Sequence, residues 1–557
     1  MSPTATTTPQ RVLKVHAADN VIVALQDLRQ GEVINFEGED YVLANDIMAK
    51  HKFVTQDLAV GDEVTMYGVL VGKASQPIPV GGLIHTGNLK HAASTFTGKT
   101  KAYSWTAPDV SAYQGKTFDG FHRADGKVGT ANYWLFVPTV FCENRNLDFI
   151  REALDKQLGY GKTEKYQNYA ARLLNLYKGG ATTEEILKQT QLPSQTDAPQ
   201  HRVFPNIDGI KFLTHQGGCG GTRQDSGALA GLLAGYMNHP NVCGVTVMSL
   251  GCQHLQVAEL KEELYKRNPG FDKPLYIYEQ QQSQSEEALL AEAIRQTFVG
   301  LVEANKQTRQ PAPLSHLVLG VKCGGSDGFS GISANPAVGY AADMLVALGG
   351  SVVLAEFPEL CGVEQELVDR CVDQATADKF IHLMRTYAGQ AEAVGSGFDM
   401  NPSPGNIRDG LITDAIKSAG AAKKGGNAPV VDVLDYTEPV TKPGLNLLCT
   451  PGNDVEATTG KAGSGTNLIL FTTGLGTPTG NPVCPVIKVA TNNALAERMA
   501  DIIDINTGSI ITGDDTIQTM GHKILDYCIS CASGKVTPKA VLLGQDDFIP
   551  WKRGVSL

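Results

Sequence analysis

Hydrophobic and polar positions alternate in two different ways along this chain. Over residues 12–95, short apolar runs such as "VLKVHA" and "DEVTMYGVLVGKA" are separated by polar turns such as "RQGE" and "AVGD". Short strands bounded by such turns predict a small β unit. The polar residues 98–117 that follow are typical of a linker. We therefore expect an N-terminal all-β domain over residues 11–97.

From residue 118 onward, strand patterns alternate with longer helical patterns. Apolar runs such as "NYWLFVPTV", "HLVLGVKC" and "LILFTTGLG" each lead into glycine, proline or polar residues, and "EKYQNYAARLLNLYKGG" predicts an amphipathic helix. This alternation indicates parallel sheets covered by helices. We predict an α/β multidomain protein, in which the small N-terminal all-β domain is followed by two α/β regions with largely parallel sheets, over residues 118–285 and 290–557.

Composition and charge argue against several classes of protein. The formal net charge of −11 does not suit nucleic-acid binding, which needs a basic face. No apolar run approaches the length of a bilayer span, and the N-terminal stretch lacks the apolar region of a signal peptide. Eleven cysteines, several beside glycines, are more typical of reduced thiols than of disulfides. We expect a cytoplasmic protein without nucleic-acid or membrane partners, and the sequence leaves a homo-oligomer open.

Two loops share a motif of cysteine and glycine. In "CGGTRQDSG" and "CGGSDGFSG", a cysteine is followed by Gly-Gly, then Thr or Ser, and by Ser-Gly after three further residues. Each loop follows an apolar strand and precedes a helical pattern. This arrangement is typical of a site at the carboxyl edge of a parallel sheet. A purely structural glycine turn is the alternative.

Four cysteines follow predicted strands: Cys219, Cys252, Cys323 and Cys449. Thiolates at such positions could hold iron or zinc, although no pair of C-x-x-C motifs at metal-site spacing is present. The alternative is that a buried cysteine behaves as a small hydrophobic residue. We predict that structural role for Cys142, Cys243, Cys361, Cys371 and Cys484.

Polar side chains crowd the same strand ends. His215 and Lys322 precede two of the cysteines, and either could act as a general base, because burial and neighbours can bring its pKa towards neutrality. A structural role is the alternative for each. Hydroxyl, carboxylate and amide groups nearby suit a polyhydroxylated or anionic ligand. These groups belong to Ser326, Asp327, Ser330, Asn335, Thr472, Thr473 and Lys488.

The stretch "DGFHRADGKVGTANYW" precedes the first long strand. Arg123 within it could bind a carboxylate in bidentate fashion, with Asn132 nearby. A turn stabilised by an ion pair is the alternative.

Several stretches, among them "DGFHRADGKVGTANYW", "THQGGCGG", "SLGCQ", "VKCGGSDGFSGISANPAVG", "FPELCGVEQ" and "FTTGLGTPTGNPVCPVIKVATN", together resemble the altronate/galactarate dehydratase family. The N-terminal "LKVHAADNVIVALQDL" and "IHTGNLKHA" resemble that family's small β-clip domain of the SAF type, so the predicted all-β domain would be SAF-like. The resemblance runs from about residue 11 to the C-terminus.

The resemblance implies a hydro-lyase that dehydrates a sugar acid with a divalent metal. Fe²⁺ is the expected cofactor, with Mn²⁺ or another divalent metal as alternatives. We favour D-altronate as the substrate and 2-dehydro-3-deoxy-D-gluconate as the product, in galacturonate catabolism. The alternatives are a galactarate dehydratase or sulfolactate sulfo-lyase of the same family, and a non-catalytic sugar-acid-binding protein.

Such a reaction removes the C2 proton and expels the C3 hydroxyl. We expect His215 or Lys322 as the base, with the loop of Ser326 and Asp327 orienting hydroxyls. The metal is one Fe²⁺ with nitrogen and oxygen ligands, or a labile iron–sulfur cluster whose open iron binds substrate. The candidate ligands are Cys219, Cys252 and Cys323 on the α/β regions and His16, Asp19 and His85 on the β-clip domain.

Overall fold

Short antiparallel strands joined by tight turns make up the N-terminal domain. The structure is a computed structural model that describes residues 10–161, 164–192 and 202–556. The strands of this domain are β1 (Val12–Leu13), β2 (Val21–Ala24), β3 (Val33–Phe36), β4 (Glu39–Val42), β5 (Lys52–Val54), β6 (Glu63–Met66), β7 (Val69–Ala74) and β8 (Leu89–Lys90). They form three small sheets, β1–β2–β5, β3–β4 and β6–β7–β8. Ile34 and Tyr41 are buried while most of their strand neighbours are exposed, as expected for strands with one covered face.

The N-terminal domain shares an apolar core with the C-terminal domain. Met66 and Val71 belong to the same buried cluster as Val321. Between the two domains, Lys52 Nζ donates to the backbone oxygen of Gly410 at 2.6 Å, and burial lowers the pKa of Lys52 to about 7. Apolar packing as well as polar contacts therefore docks the β domain.

A four-stranded parallel sheet organises the second domain. Its strands and those beside it are β9 (Thr117–His122), β10 (Val128–Gly129), β11 (Tyr133–Pro138), β12 (Gly209–Phe212), β13 (Val242–Ser249) and β14 (Leu275–Glu279). The helices are α1 (Asn144–Leu158), α2 (Lys165–Lys178), α3 (Thr183–Leu187), α4 (Arg223–Met237), α5 (Val257–Arg267) and α6 (Glu286–Ala304). The strand order is β12–β11–β13–β14. Trp134 packs with α1 and α6, and Leu135 packs with α4 and α5, so helices bury both faces.

A seven-stranded parallel sheet forms the C-terminal domain. Its seven strands are β16 (Val318–Cys323), β17 (Ser351–Ala355), β18 (Val430–Leu434), β19 (Gly444–Leu448), β20 (Leu468–Thr473), β21 (Val486–Ala490) and β22 (Ile505–Asn506), and β15 (Gln310–Pro313) precedes them in the chain. The helices are α7 (Ala334–Ala347), α8 (Glu364–Arg370), α9 (Gln374–Glu392), α10 (Pro404–Arg408), α11 (Asp414–Ala422), α12 (Asp454–Gly463), α13 (Asn493–Arg498), α14 (Gly508–Thr512), α15 (Ile517–Ala532) and α16 (Lys539–Leu542).

The strand order of the large sheet creates a crevice. The order is β18–β19–β17–β16–β20–β21–β22, and β15 pairs with β9 outside this sheet. The chain builds outward from β16 on one side and then returns to add β20 on the other. In open α/β sheets, ligands bind beyond the carboxyl ends of the strands at such a reversal. The carboxyl ends of β16 and β20 are therefore the first place to look for a site.

The predicted architecture is confirmed: an all-β domain is followed by two regions with parallel sheets and covering helices. The domain bounds at residues 97, 118, 285 and 290 stay predictions. The predicted amphipathic helix forms as α2, but none of its side chains is buried. Within the described ranges, no helix is both long enough and apolar enough to cross a membrane.

Candidate active site

Buried charged side chains gather where the strand order of the large sheet reverses. At the end of β17, the Glu356 carboxylate forms an ion pair with Lys322 of β16. Its Oε2 lies 3.1 Å from Lys424 Nζ and 3.7 Å from Lys461 Nζ. All four side chains are fully buried. We call the following six residues the charged cluster: Lys322, Glu356, Glu359, Lys417, Lys424 and Lys461.

Glu359 joins the charged cluster to Cys323. Glu359 Oε1 lies 3.0 Å from Lys417 Nζ, and its Oε2 is 3.4 Å from Cys323 Sγ. Burial raises the pKa of Glu359, but the surrounding ammonium groups, Lys417 first, outweigh burial and lower that pKa well below its ordinary value. Burial raises the pKa of the Cys323 thiol to about 11. At neutral pH, Glu359 is therefore an anion and Cys323 a neutral thiol.

Glu356 has an unusual backbone conformation. Its φ of 72° and ψ of 61° lie in the left-handed region, which a non-glycine residue occupies at a cost of about 1–3 kcal/mol. Its N–H donates to Thr450 Oγ1 at 3.0 Å, which stabilises the turn. Strained residues of this kind concentrate at functional sites, because only a surrounding structure that enforces them can keep them.

Five of the six residues in the charged cluster were not expected from the sequence: Glu356, Glu359, Lys417, Lys424 and Lys461. The stretch "AEFPELCG" carried a usable signal, because two acids there lie within four residues of the end of a buried strand. The three lysines carried none. Each lies in or beside a helix and reaches the cluster only through the fold.

The charged cluster holds more cations than anions. Burial lowers the pKa of Lys322, but Asp454, 2.9 Å away, and Glu356 outweigh burial and raise it well above its ordinary value. Burial lowers the pKa of Lys461 to about 8, and within the described residues Lys461 Nζ has no hydrogen-bond partner. At neutral pH, four ammonium groups thus face three carboxylates, Asp454 included. An anionic ligand would balance this excess.

Cys323, Glu356 and Glu359 also form a possible metal site. They bring one sulfur and two oxygens within 4.8 Å of one another, and no other such group occurs among the described residues. These donor atoms suit a divalent metal. Lysine side chains, however, already contact both carboxylates, and a divalent cation would add charge to a cluster with excess ammonium groups. The charge balance favours an anion here.

Asp327 lies on the loop between β16 and α7 and tethers the N-terminal domain. Its Oδ2 lies 3.1 Å from Lys50 Nζ, and its Oδ1 accepts a hydrogen bond from Ser330 Oγ at 3.0 Å. The neighbouring Ser326 accepts from Asn406 through its backbone oxygen. The structure thus brings the predicted residues Ser326, Asp327 and Ser330 to one loop. Their roles in binding or catalysis stay predictions.

Polar residues near the end of β20 support the same edge of the large sheet. Thr472 Oγ1 donates to Asn335 Oδ1 at 2.6 Å, and Thr473 Oγ1 accepts a backbone N–H of the following turn at 2.9 Å. Lys488 Nζ donates to two backbone oxygens of that turn. Burial lowers the pKa of Lys488 to about 7. All four were predicted as substrate-binding residues, and this role stays a prediction.

His215 lies at the carboxyl edge of the small sheet. Its Nε2 is 2.9 Å from the Pro138 oxygen, and its Nδ1 is 3.0 Å from the Gly217 nitrogen. A neutral ring satisfies both contacts by donating from Nε2 and accepting at Nδ1. Burial lowers the pKa of His215 to about 4, which favours that neutral form. Its role as a base stays a prediction and would require one of these hydrogen bonds to open.

The two Cys-Gly-Gly loops enter their helices differently. Beyond Cys219, Thr222 caps α4: its Oγ1 accepts the Asp225 N–H at 3.1 Å and donates to the Asp225 carboxylate at 2.8 Å. Beyond Cys323, α7 begins only at Ala334, and a longer loop intervenes. The shared motif therefore marks the ends of two strands in two different sheets.

A cavity of about 630 Å³ opens at the carboxyl edge of the small sheet. Cys219 and His254 line it together with Glu456 of the C-terminal domain. Glu456 lies in the first turn of α12, as does Asp454, whose Oδ1 is 2.9 Å from Lys322 Nζ. One turn of α12 therefore connects this cavity with the charged cluster.

The cysteines differ in how far they are exposed to solvent. Cys142, Cys219 and Cys252 are exposed, and they follow the adjacent strands β11, β12 and β13. The prediction that Cys142 is buried is wrong, because the chain turns outward in a short 3-10 helix after β11. Cys323 is buried at the end of a strand in the other sheet. The structure therefore does not gather Cys219, Cys252 and Cys323 around one ion, and their metal roles stay predictions.

The candidate ligands of the N-terminal domain stabilise tight turns. His16 Nδ1 accepts the N–H of Ala18 at 3.1 Å, and His85 Nδ1 accepts the N–H of Gly87 at 3.0 Å. The buried Asp19 accepts backbone N–H groups through both carboxylate oxygens. The structure does not bring these three side chains together as ligands of one ion. Metal binding by them stays a prediction.

Arg123 and Asn132 lie at the opposite edge of the small sheet, before β11 begins. Arg123 Nε donates to the Pro240 oxygen at 2.7 Å, and its Nη2 donates to Asn132 Oδ1 at 2.9 Å. Asn132 Nδ2 donates to the Asn206 oxygen at 2.8 Å. These contacts hold backbone segments at the amino edge, so the structure does not bring the two residues to either carboxyl edge. Substrate binding by them stays a prediction.

Comparison with known proteins covers nearly the whole chain. Three family models match in order: the altronate/galactarate dehydratase SAF domain over residues 10–92, the D-galactarate dehydratase/altronate hydrolase second domain over residues 120–305, and the D-galactarate/altronate dehydratase C-terminal domain over residues 314–556.

Full-length relatives agree with these models. The altronate dehydratase of Escherichia coli (strain K12) is 34% identical over 94% of this chain and 96% of the relative. The altronate dehydratase of Bacillus subtilis (strain 168) is 34% identical over 94% and 95%, and the galactarate dehydratase (L-threo-forming) of Escherichia coli (strain K12) is 29% identical over 94% and 93%. On these matches, the chain belongs to the altronate/galactarate dehydratase family.

Proposed function

We propose that this protein is a hydro-lyase that converts D-altronate into 2-dehydro-3-deoxy-D-gluconate in galacturonate catabolism. The likeness to two altronate dehydratases over nearly their full length supports this substrate. The observation that carries the proposal is the charged cluster. Its excess of ammonium groups at the strand-order reversal suits a carboxylate ligand that also carries hydroxyls.

Within the charged cluster, we assign the proton-accepting role to Lys461. A base needs a free lone pair, and burial lowers the pKa of Lys461 to about 8, so that a fraction of this mostly protonated group is the free amine near neutral pH. The pKa of Lys322 is raised well above its ordinary value by Asp454 and Glu356, which outweigh burial, so Lys322 would remain an ammonium. Lys322 would then stabilise the negative charge that develops on the substrate carboxylate. Lys461 therefore replaces Lys322 as our candidate for the base.

The expected cofactor is Fe²⁺, with Mn²⁺, another divalent metal or an iron–sulfur cluster as alternatives. Bound iron would supply a Lewis acid for the substrate's carboxylate and hydroxyl oxygens. Exposed thiols at the small-sheet edge offer soft ligands that suit iron. We also propose a cytoplasmic location, supported by cysteines that are all free thiols. Self-association stays a prediction that light scattering can test.

The test is formation of a 2-keto acid from D-altronate by the iron-loaded chain under exclusion of oxygen. Galactarate and sulfolactate serve as competing substrates. We expect turnover with D-altronate to have the highest kcat/KM. Faster turnover of galactarate would favour the galactarate dehydratase alternative, and binding of D-altronate without product would favour a non-catalytic binding protein.

A further inference from the structure

We propose that Cys142, Cys219 and Cys252 form a three-thiolate site for an iron–sulfur cluster. The inference rests on the proposed function and deepens it, because it locates the iron. The adjacent strands β12, β11 and β13 each lead into a loop that carries one of these cysteines, so the topology brings the three to one edge. All eleven cysteines lie in the described residues, and only these three are exposed.

Backbone hydrogen bonds join the three loops. The N–H of Phe141, next to the first cysteine, donates to the Gly217 oxygen at 3.1 Å. The N–H of His254, two residues after the third cysteine, donates to the Gly218 oxygen at 2.9 Å. Gly218 has a φ of 96°, and a Cβ there would meet a backbone oxygen at the end of β11 at 2.1 Å. Glycine is therefore required for this close approach of the loops.

Several buried polar groups at this edge lack partners. Of the buried side-chain atoms that have no hydrogen-bond partner within the described residues, four lie near this edge: Thr139 Oγ1, Glu143 Oε1, Asn144 Oδ1 and Ser226 Oγ. Thr139 and Glu143 are fully buried, and Asn144 and Ser226 line the cavity. Buried polar groups are almost always paired in native proteins, so a group of unpaired ones indicates a ligand or water that belongs there.

The thiols of Cys142, Cys219 and Cys252 do not all lie within 4.8 Å of one another, as the ligands of a single ion would. Among the described residues, only Cys323, Glu356 and Glu359 bring three ligand atoms within 4.8 Å of one another, so the three exposed thiols are spread more widely. A tetrahedral ion with metal–sulfur bonds of about 2.3 Å would draw its sulfur ligands to about 4 Å apart. Cysteine thiolates are the usual ligands of clusters, which span more space than one ion.

Surrounding charge also distinguishes these thiols from Cys323. Lys424 Nζ lies 3.3 Å from Cys323 Sγ, inside a cluster that already carries excess positive charge. At Cys252, by contrast, the neutral amide of Gln281 donates to Sγ at 3.2 Å. Cationic iron is therefore favoured at the small-sheet edge over the charged cluster.

Iron and acid-labile sulfide analysis of the chain, purified without oxygen, tests this site. We expect the wild type to contain both in similar amounts, with the broad visible absorbance of thiolate-bound iron. Cys142→Ser, Cys219→Ser and Cys252→Ser should each lose both. Cys371→Ser is the matched control and should keep both, because its buried thiol donates to the backbone oxygen of Leu367. Cys323→Ser should also keep both.

Two results would overturn the site: iron without sulfide in the wild type, or wild-type sulfide content in Cys142→Ser. If a serine variant lacks a cooperative thermal transition, alkylation of the wild type decides instead. Iodoacetamide should label Cys142, Cys219 and Cys252 only after iron has been removed with a chelator, and equal labelling of the iron-loaded chain would refute the site. If the chain binds the iron–sulfur cluster but does not convert D-altronate, the proposed substrate is wrong and the proposed cluster site stands. If the chain converts D-altronate but contains no sulfide, the cluster site is wrong and the proposed substrate stands.

Discussion

At the carboxyl edge of the large sheet, the candidate functional side chains are charged and enclosed, whereas at the same edge of the small sheet they are thiols open to solvent. Both edges carry the same Cys-Gly-Gly motif. Cys323 lies among lysines and glutamates and is a neutral thiol, while Cys219 lies on an exposed glycine-rich loop. The motif thus determines where a cysteine is placed, and its neighbours determine what chemistry the cysteine can do.

The two edges also differ in what holds them together. Ion pairs between fully buried groups hold the charged cluster, and loss of one member leaves the others without a counter-charge. The small-sheet edge is held by backbone hydrogen bonds and by the neutral ring of His215. We therefore expect substitutions at the first edge to affect stability as well as turnover, and substitutions at the second to affect ligand content first.

The largest effect is expected for Glu356→Gln. This change leaves three buried ammonium groups without their shared carboxylate, so the free energy of unfolding should fall by about 3–5 kcal/mol. Urea unfolding measures the difference. Glu366→Gln is the control: its ion pair with Arg370 spans 3.6 Å and its side chain is 44% exposed, so it should cost less than about 1 kcal/mol. Equal losses in the two variants would show that the charged cluster is not held by its ion pairs.

Lys461→Met should separate turnover from folding. If Lys461 accepts the C2 proton, kcat should fall by about 10²–10⁴-fold while the thermal transition stays cooperative. Lys442→Met is the control, because Lys442 pairs with Asp432 at 3.4 Å and is 55% exposed. A near-normal kcat in Lys461→Met would return the role of base to His215 or Lys322.

The same lysine predicts a pH dependence of stability. Burial in the folded chain lowers the pKa of Lys461 to about 8 from its ordinary value of 10.5, which applies to the unfolded chain. Between these two values the unfolded chain binds the additional proton, so this group makes the free energy of unfolding rise with pH. Urea unfolding at pH 8 and pH 10 should show a larger gain for the wild type than for Lys461→Met. The same gain in both would mean that other groups produce the slope.

A moderate effect is expected for Lys50→Met, where the N-terminal domain contacts the loop of the large sheet. Lys50 Nζ lies 3.1 Å from Asp327 and 2.8 Å from Asp409. Its loss should lower the free energy of unfolding by about 1–3 kcal/mol, because Asp327 is fully buried. Lys73→Met, which removes a pair that is 3.3 Å long and about half exposed, should cost less than about 1 kcal/mol. Matching losses would contradict a role for Lys50 in docking the domain.

The smallest effect on activity is expected for Arg123→Lys at the amino edge. Arg123 contacts Pro240 and Asn132 rather than either carboxyl edge, so KM for D-altronate should not change. Thermal unfolding should show a modest loss, since lysine cannot make both contacts. A raised KM with normal stability would instead support the predicted substrate-binding role of Arg123.

The fold was largely predictable because its signals are local. Apolar strand runs that end in glycine or polar residues identified β11, β16 and β20, and short strands between tight turns identified the N-terminal domain. Lys322 and Cys323 were predicted as site residues for the same reason, since each lies at the end of a buried strand.

The remaining parts of the site depend on contacts between distant segments. Lys461 lies on a helix, and no sequence pattern places its ammonium beside a carboxylate at the end of β17. Cys142 was misjudged because exposure after a strand depends on the direction in which the chain turns. His215 was correctly placed at a strand end, but its two hydrogen bonds to backbone could not be inferred from spacing.

The first turn of helix α12 contributes one carboxylate to each of the two edges. Asp454 and Glu456 are two residues apart in its first turn, so they project about 200° apart around its axis. Asp454 reaches Lys322, and Glu456 lines the cavity. The positions of the two carboxylates are therefore coupled. A rotation of the first turn that moves Asp454 towards Lys322 would also move Glu456 relative to a ligand in the cavity.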